Sequence, residues 1–211
     1  MPTILCLDYS LNKLFQRYGD VINDPQILLQ SPVDVVAFPG GPDVPPRFYG
    51  AKMHPKTYTS EHHYSRFENI YRLAVEQGST LVGICGGAQY LCVKAGGKLI
   101  QHVENHAKHG LHEVQSIYGP AQVTSTHHQM MWPDGTEHEL LSWADNLSPI
   151  HEDGEQEEVK LLDGKEPEAV WFKPINRDGC NSLAVQWHPE YMHEGQSGYD
   201  LFQALIQNYV I

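Results

Sequence analysis

The chain has 211 residues, of which 41% are hydrophobic and 19% are charged, and this composition is typical of a folded globular protein rather than of a disordered or membrane-embedded chain. Its 26 acidic residues outnumber its 14 lysines and arginines, and the formal net charge of -12 opposes direct binding to nucleic acid or to an anionic membrane. The four cysteines have no framework spacing and the first residues lack a basic signal-peptide region, so we expect reduced thiols, a cytoplasmic location and one domain over residues 1–211.

Strand and helix patterns alternate through the first half of the chain, which predicts a mostly parallel sheet covered by helices. Within helix 64–77, Phe67, Ile70 and Ala74 recur at helical spacing, and Gly78 follows its end. The predicted elements of this half are strands 4–7, 33–38 and 81–84 and helices 11–18, 64–77 and 86–95.

The pattern changes after Gly96 and Gly97, where short segments with strand character follow one another. These segments predict an antiparallel extension, and an amphipathic helix over 199–210 ends the chain. We therefore expect an α/β fold, with one doubly wound and mostly parallel sheet flanked by helices and a small antiparallel extension. The predicted strands of this half are 113–118, 122–125, 168–173 and 182–187.

Residues 83–87, with the sequence Gly-Ile-Cys-Gly-Gly, lie where strand 81–84 passes into helix 86–95. A nucleophile on a sharp strand-to-helix turn needs small residues two positions away on each side, because the strained backbone brings these positions too close for side chains. The pattern predicts Cys85 as a nucleophile. The alternative interpretation is a buried structural cysteine at a glycine-rich turn.

A base for this thiol is predicted at His188, which directly follows strand 182–187. Residues two apart in extended backbone project to the same side, so the Glu190 carboxylate can reach the imidazole and hold its tautomer. Pro189 between them stiffens the pair. A surface strand can contain such a pair without any function, so the pair indicates catalysis only together with the sharp turn at Cys85.

The loop Pro39-Gly40-Gly41 follows a predicted parallel strand, at the sheet edge where open α/β folds bind ligands. Main-chain N–H groups of Gly41 and of Gly86, the residue after the nucleophile, are predicted to form an oxyanion hole, in which each donor contributes roughly 10²- to 10³-fold in rate. Taken alone, the segment is equally compatible with an ordinary Pro/Gly turn.

Together these residues resemble the class I glutamine amidotransferase family, which has a Pro-Gly-Gly loop, a Gly-x-Cys-x-Gly-x-Gln elbow and a late His-Pro-Glu. The three motifs occur in the family's order at 39–41, 83–89 and 188–190. The γ-glutamyl hydrolase branch is the most similar, through 41–50, 66–68, 95–102 and 124–129. That branch usually has Arg at the position of Gly86 and Met at that of Ala88, so the sequence leaves open which γ-substituent the site accepts.

The resemblance implies a flavodoxin-like fold and thioester chemistry on a γ-glutamyl amide. Cys85 would attack the side-chain carbonyl of glutamine or of a γ-glutamyl conjugate, His188 would move the proton and Glu190 would orient the imidazole. By position in the family motifs, the glutamyl portion is assigned to Gly40, Gln89, His128 and Gln129. No metal or organic cofactor is expected.

Three functions remain open at this point. The first is a glutaminase-type amidotransferase that hands ammonia to a separate ATP-dependent synthetase subunit, and the second is a free-standing γ-glutamyl-amine hydrolase. The third, from a different class, is a catalytically idle binding or scaffold protein that kept the fold. The two catalytic functions share one expected partner, a small-molecule substrate.

The chain contains 13 histidines. His102, His106, His109 and His112 recur at helix-like intervals that could hold a metal, but the intervening sequence favours a loop over the site. The pairs at 62–63 and 127–128 are interpreted as polar residues of a pocket rim, and Cys92 as core packing.

Half of the net charge comes from the acidic segment 151–168. We expect it to form a solvated hairpin loop; the alternative is a docking surface for a basic partner protein.

Overall fold

The computed structural model describes residues 1–108, 110–173 and 180–211. His109 of the predicted histidine series therefore lies outside the described residues. Within them, nine strands form one sheet in the order β2-β1-β3-β4-β13-β12-β10-β7-β8. The strands are β1 Thr3–Cys6, β2 Asp20–Ile22, β3 Val35–Phe38, β4 Thr80–Ile84, β5 Lys98–Ile100, β6 His102–Val103, β7 Leu111–Ser116, β8 Ala121–Thr124, β9 Met130–Trp132, β10 His138–Asp145, β11 His151–Glu152, β12 Lys165–Phe172 and β13 Ser182–Val185.

The α-helices are α1 Asn12–Phe15, α2 Glu61–Gln77, α3 Gly86–Lys94 and α4 Ser197–Leu205, and a π-helical turn at Ile206–Val210 follows α4. The Ser60 hydroxyl caps the start of α2, and Gly78 ends it with a φ of 76°, which a residue without Cβ adopts at little cost. Across the part of the chain that the structure describes, no helix has both the length and the apolar character needed to cross a membrane.

Strands β2, β1, β3, β4 and β13 run parallel to one another, whereas β12 pairs antiparallel with β13, and β10, β7 and β8 continue the sheet in antiparallel pairs. Two short antiparallel pairs, β5 with β9 and β6 with β11, lie outside this sheet. The predicted α/β sheet with an antiparallel extension is confirmed, and the extension makes up four of the nine strands in the described sheet.

Side chains of the parallel strands alternate between two cores, as the period of two requires. Leu5, Val36 and Phe38 pack into one core, which α2 and α3 cover. Their neighbours Ile4 and Val35 pack into the other core, with α1 and α4. Helices on both faces make the sheet doubly wound, as predicted.

The sequence-based helix 11–18 is shorter in the structure, where the four-residue α1 follows a 3₁₀ turn at Tyr9–Leu11. Strand β10 was not predicted, because register shifts between Leu140 and Trp143 interrupt its pairing with β12 and hide the alternation of apolar and polar residues.

The acidic segment 151–168 is only partly a solvated loop. Residues 155–158 are exposed, whereas Glu166 and Glu168 are fully buried in β12. The sequence-based interpretation is therefore wrong for these two carboxylates, because side chains from distant segments cover them.

Candidate active site

The predicted motifs meet at one edge of the sheet because they follow three adjacent parallel strands. In the sheet order, β4 lies between β3 and β13, and the carboxyl ends of parallel strands point in the same direction. Pro39 follows the end of β3, Cys85 follows β4, and His188 lies three residues beyond β13. This is the edge at which open α/β sheets bind their ligands.

Cys85 is the residue between β4 and α3, with a φ of 49° and a ψ of −109°. A positive φ strains any residue with a Cβ, and the Cys85 N–H donates to the Val185 carbonyl at 2.8 Å, which holds the turn against β13. The side chain is 9% exposed. This backbone is the sharp strand-to-helix turn that the sequence predicts.

The flanking glycines are required by close backbone contacts. A Cβ on Gly83 would lie 2.5 Å from the Gly87 carbonyl oxygen, and a Cβ on Gly87 would lie 2.3 Å from the Phe38 carbonyl oxygen. Both distances are far below van der Waals contact, and the atoms met are backbone, which cannot move aside easily. The spacing of glycines around Cys85 therefore follows from packing of the turn on itself and on β3.

We expect Gly87→Ala to lower the free energy of unfolding by about 2–3 kcal/mol, as forced overpacking does. Denaturant titration followed by circular dichroism measures the change. Gly78→Ala is the control, since the space around Gly78 is open and only its φ of 76° is unfavourable, which costs about 1 kcal/mol. Equal losses in the two variants would contradict the backbone clash.

His188 and Glu190 form a close pair, with His188 Nδ1 at 2.5 Å from Glu190 Oε1. The His188 N–H donates to Thr124 Oγ1 at 2.8 Å, and the imidazole stacks on the Tyr191 ring with 4.7 Å between centroids. The carboxylate engages Nδ1, and Nε2 lies on the side of the ring that faces Gly40 and Cys85. The arrangement suits a base that receives a proton from the thiol.

The charge state of His188 follows from its neighbours. Burial lowers the pKa of His188, but the neighbouring Cys85 side chain and the Glu190 carboxylate raise that pKa above its ordinary value. An imidazolium beside a thiol favours the thiolate, which is the nucleophilic form of cysteine.

Gly40 and Gly41 pass directly over this pair. A Cβ on Gly40 would lie 2.7 Å from His188 Cε1 and 3.4 Å from Cys85 Cβ, so a larger residue would displace the imidazole. A Cβ on Gly86 would lie 3.0 Å from the Gly41 nitrogen, which shows that the two loops are in contact. Among the described residues, neither the Gly41 N–H nor the Gly86 N–H donates to a backbone acceptor, and Gly86 opens a helix, where such donors are free.

Gln89, His128 and Gln129 lie next to one another at the same edge. Gln89 is buried, and its amide donates to the Gln129 carbonyl at 3.0 Å. The side chain of His128 is 37% exposed and Nε2 lies 3.2 Å from Asp43 Oδ1. Gln129 donates to Thr57 Oγ1 at 2.9 Å. Gln89 therefore fixes the loop that carries the other two, and their binding of substrate stays a prediction.

Sequence reasoning missed Thr124 and Tyr191, which shape this site, whereas it placed His63 at the pocket rim. Thr124 and Tyr191 hold the His188 backbone and ring, and His63 faces Gly41, where a Cβ would lie 2.9 Å from its Nε2. Burial lowers the pKa of His63. The contact of Thr124 joins segments 64 residues apart, so no local motif signals it. Tyr191 is only three residues from His188, but the motif itself does not include it.

Several curated relatives of the chain are glutamine amidotransferase-like. The chain is 26% identical over 174 residues to the putative glutamine amidotransferase-like protein YvdE of Lactococcus lactis, covering 75% of this chain and 66% of the relative. It is 28% identical over 187 residues to a putative glutamine amidotransferase of Mycobacterium tuberculosis, covering 79% of this chain and 53% of the relative. The chain thus spans about half to two thirds of the length of these relatives.

Fold, motifs and relatives together define a class I glutamine amidotransferase-like protein. Residues 23–144, more than half of the chain, match the model of one family within this class, and the protein belongs to that family, peptidase C26. Protein NtpR of Enterococcus hirae is 27% identical over 187 residues, which cover 84% of this chain and 75% of NtpR. Family and relatives support amidotransferase or amide hydrolase activity in general.

Solved structures show the same fold at low identity. A putative GMP synthase subunit from Thermoplasma acidophilum matches with a TM-score of 0.59 and 15% identity, over 99% of this chain and 96% of that chain. A glutamine amidotransferase from Thermotoga maritima matches with a TM-score of 0.55 and 13% identity, over 99% and 82%. At these identities the likeness concerns the fold.

Proposed function

We propose that the protein hydrolyses a γ-glutamyl amide, either glutamine or a γ-glutamyl conjugate, through a thioester on Cys85. The observation that carries this proposal is that the strained Cys85 and the imidazole of a His188–Glu190 pair, joined at 2.5 Å, both lie against Gly40. A buried structural cysteine has no use for such a base.

The reaction starts with transfer of the Cys85 thiol proton to His188 Nε2, and the thiolate Sγ then attacks the amide carbonyl carbon. Collapse of the tetrahedral intermediate breaks the C–N bond, and the imidazolium gives its proton to the leaving amine or ammonia. Water then attacks the thioester as His188 takes its proton, and glutamate leaves as the thiol is restored. Glu190 holds the imidazole tautomer throughout and stabilises its charged form.

The negative oxygen of both intermediates would be bound by the N–H groups of Gly41 and Gly86. Their loops are in contact, and neither donor has a backbone acceptor among the described residues. We assign the glutamyl portion to Gly40, His128 and Gln129, with Gln89 holding the loop of the latter two. These steps need no metal or organic cofactor, because side chains, main-chain N–H groups and water supply every role.

Glu190→Gln should shift the pH dependence of the reaction. His188 must carry a proton to release the amine, so activity falls as pH rises through the His188 pKa, which its Cys85 and Glu190 neighbours raise. Removing the carboxylate lowers that pKa, and the alkaline fall should begin about 1–3 pH units lower. A profile of kcat/KM across neutral and alkaline pH measures this shift. An unchanged alkaline limb would show that Glu190 does not set the pKa of the base.

Ammonia released here is proposed to pass to a separate ATP-dependent synthetase. Structural neighbours that include PurLQS of Thermotoga maritima and a putative GMP synthase protein of Thermoplasma acidophilum support this version. A free-standing γ-glutamyl-amine hydrolase is the second candidate, favoured because His188 and Glu190 are already paired beside Cys85 in the isolated chain. Since one sheet contains strands from Thr3 to Val185, we propose that residues 1–211 act as one domain.

A substrate panel tests the proposal and separates its versions. The purified chain is incubated with glutamine and with several γ-glutamyl amines, and glutamate and ammonia are measured against Cys85→Ala. Turnover of γ-glutamyl amines by the chain alone supports the free hydrolase, and glutamine turnover that rises on adding a synthetase supports the amidotransferase. A folded chain that turns over none of these, with or without a synthetase, would instead be the idle scaffold.

A further inference from the structure

A second group of polar side chains is buried between β12 and the segments on either side of β7 and β8. We call His106, His112, His127, Glu166 and Glu168 the histidine–glutamate cluster. The side chains of His106, Glu166 and Glu168 are fully buried, and that of His127 is 1% exposed. Ionisable groups at such depth need partners that balance their charge and hydrogen bonds.

Three imidazoles converge on a single carboxylate oxygen of this cluster. His106 Nδ1 lies 3.1 Å from Glu168 Oε1, and His127 Nε2 lies 3.3 Å from it. His112 Nε2 lies 3.0 Å from the same atom. Ligand atoms of His106, His127 and Glu168 all lie within 4.8 Å of one another. In a tetrahedral zinc site with metal–ligand bonds of about 2.05 Å, neighbouring ligand atoms lie about 3.3 Å apart. The distances from the imidazole nitrogens to Glu168 Oε1 are close to this value.

The second nitrogen of each of two imidazoles is also engaged by oxygen. His106 Nε2 lies 2.9 Å from Glu166 Oε2, and His127 Nδ1 lies 2.9 Å from the Gln129 carbonyl oxygen. A neutral imidazole has one N–H and one lone pair. A neutral His106 or His127 would therefore turn a lone pair towards an oxygen unless a cation lies between that nitrogen and Glu168, whereas a protonated imidazole would donate from both nitrogens.

We propose that His106 Nδ1, His127 Nε2 and Glu168 Oε1 bind a divalent transition-metal ion of the zinc class. The outer contacts fit, since a metal-bound histidine usually donates its other N–H to a carboxylate or a main-chain carbonyl. Here Glu166 accepts from His106, and the Gln129 carbonyl accepts from His127. His112 Nε2 donates to the Glu168 carboxylate. Two imidazoles and one carboxylate suit Zn²⁺ better than Ca²⁺ or Mg²⁺, which prefer all-oxygen sites.

The position of this site gives it a structural role. The Gln129 carbonyl that orients His127 also accepts from Gln89, on the helix that follows Cys85. The Glu168 carbonyl accepts from the Gln186 N–H at 2.7 Å, two residues before His188. The metal would thus hold the 127–129 loop and the end of β13 in place. This proposal departs from the sequence-based expectation of no metal, and it does not depend on the proposed amide hydrolysis.

The test uses the untagged full chain, stripped with a chelator, exposed to zinc sulfate and desalted. We expect about one zinc per chain by elemental analysis and a melting temperature about 5–10 °C higher than that of the stripped protein. His106→Gln and His127→Gln should each lose both effects. His54→Gln is the matched control, because His54 is equally buried and paired with a carboxylate, Glu152, outside the cluster, and it should retain the zinc.

A folded wild-type chain that retains no zinc, or zinc that stays in both cluster variants, would overturn the proposal. If the variants fail to fold, cobalt binding by the wild-type chain tests the proposed site instead. Visible absorption of tetrahedral Co²⁺ with nitrogen and oxygen ligands would support the site. A thiolate charge-transfer band would place the metal on cysteine and refute it, since the proposed ligands contain no sulfur.

Discussion

Cys85→Ala should lower the rate of amide hydrolysis by at least about 10⁴-fold, because removing a nucleophile removes the covalent route that the other residues serve. The variant keeps the Cβ and thus the packing of the turn, so circular dichroism and the melting temperature should change little. Glutamate release from the substrate that the panel identifies measures the loss.

The same position offers a second measurement that isolates the backbone. Cys85→Gly should be equally inactive but more stable than Cys85→Ala by about 1 kcal/mol, since glycine adopts the φ of 49° without a Cβ penalty. Denaturant titration of the two variants compares them. Retained turnover in either variant would refute the nucleophile, whereas a less stable glycine variant would refute the strained turn.

His188→Gln should lower kcat by about 10²- to 10⁴-fold, the usual contribution of a general acid and base. Glutamine keeps a polar side chain of similar reach but carries no titratable proton, so substrate binding should be less affected than turnover. The expected result is a fall in kcat with a small change in KM.

His193→Gln is the control for this loss, because His193 is an exposed histidine five residues away. It should hydrolyse the substrate at the wild-type rate. Equal activity of His188→Gln and His193→Gln would mean that another group moves the proton.

The geometry of the candidate active site could be predicted from the sequence because each of its parts is local. The glycines around Cys85 follow from backbone contacts within a few residues and with the neighbouring strand. His188 and Glu190 are only two residues apart, and they pair although Pro189–Tyr191 forms a 3₁₀ helix rather than the extended backbone that the sequence predicts. Each motif lies within three residues of the end of a strand whose apolar pattern is strong. Parallel strands then bring the motifs to one edge without further information.

Other parts of the structure depend on contacts that no local pattern shows. Strand β10 was missed because its register shifts break the alternation. Glu166 and Glu168 lie in a charged segment that looks solvated, and their burial depends on His106, His112 and His127, which are some 40 to 60 residues away. His127 was interpreted as a rim residue for the same reason.

The histidine series shows how spacing misled the sequence-based interpretation. Helix-like intervals from His102 to His112 suggested one possible ligand set and a loop over the site. In the structure His102 contacts Lys56 at 2.6 Å, whereas His106 and His112 turn towards Glu168. The ligand atoms that converge come from three separate segments, which is a property of the folded sheet and not of a sequence interval.

Covalent capture of the nucleophile tests the central claim most directly. The intact chain is incubated with an electrophilic glutamine analogue, with and without excess glutamine, and its mass is measured before and after proteolysis. We predict the addition of one analogue per chain, located on Cys85, prevented by glutamine and absent from Cys85→Ala. A folded chain that hydrolyses its amide substrate while Cys85 stays unmodified, or that is modified only at another residue, would contradict the account.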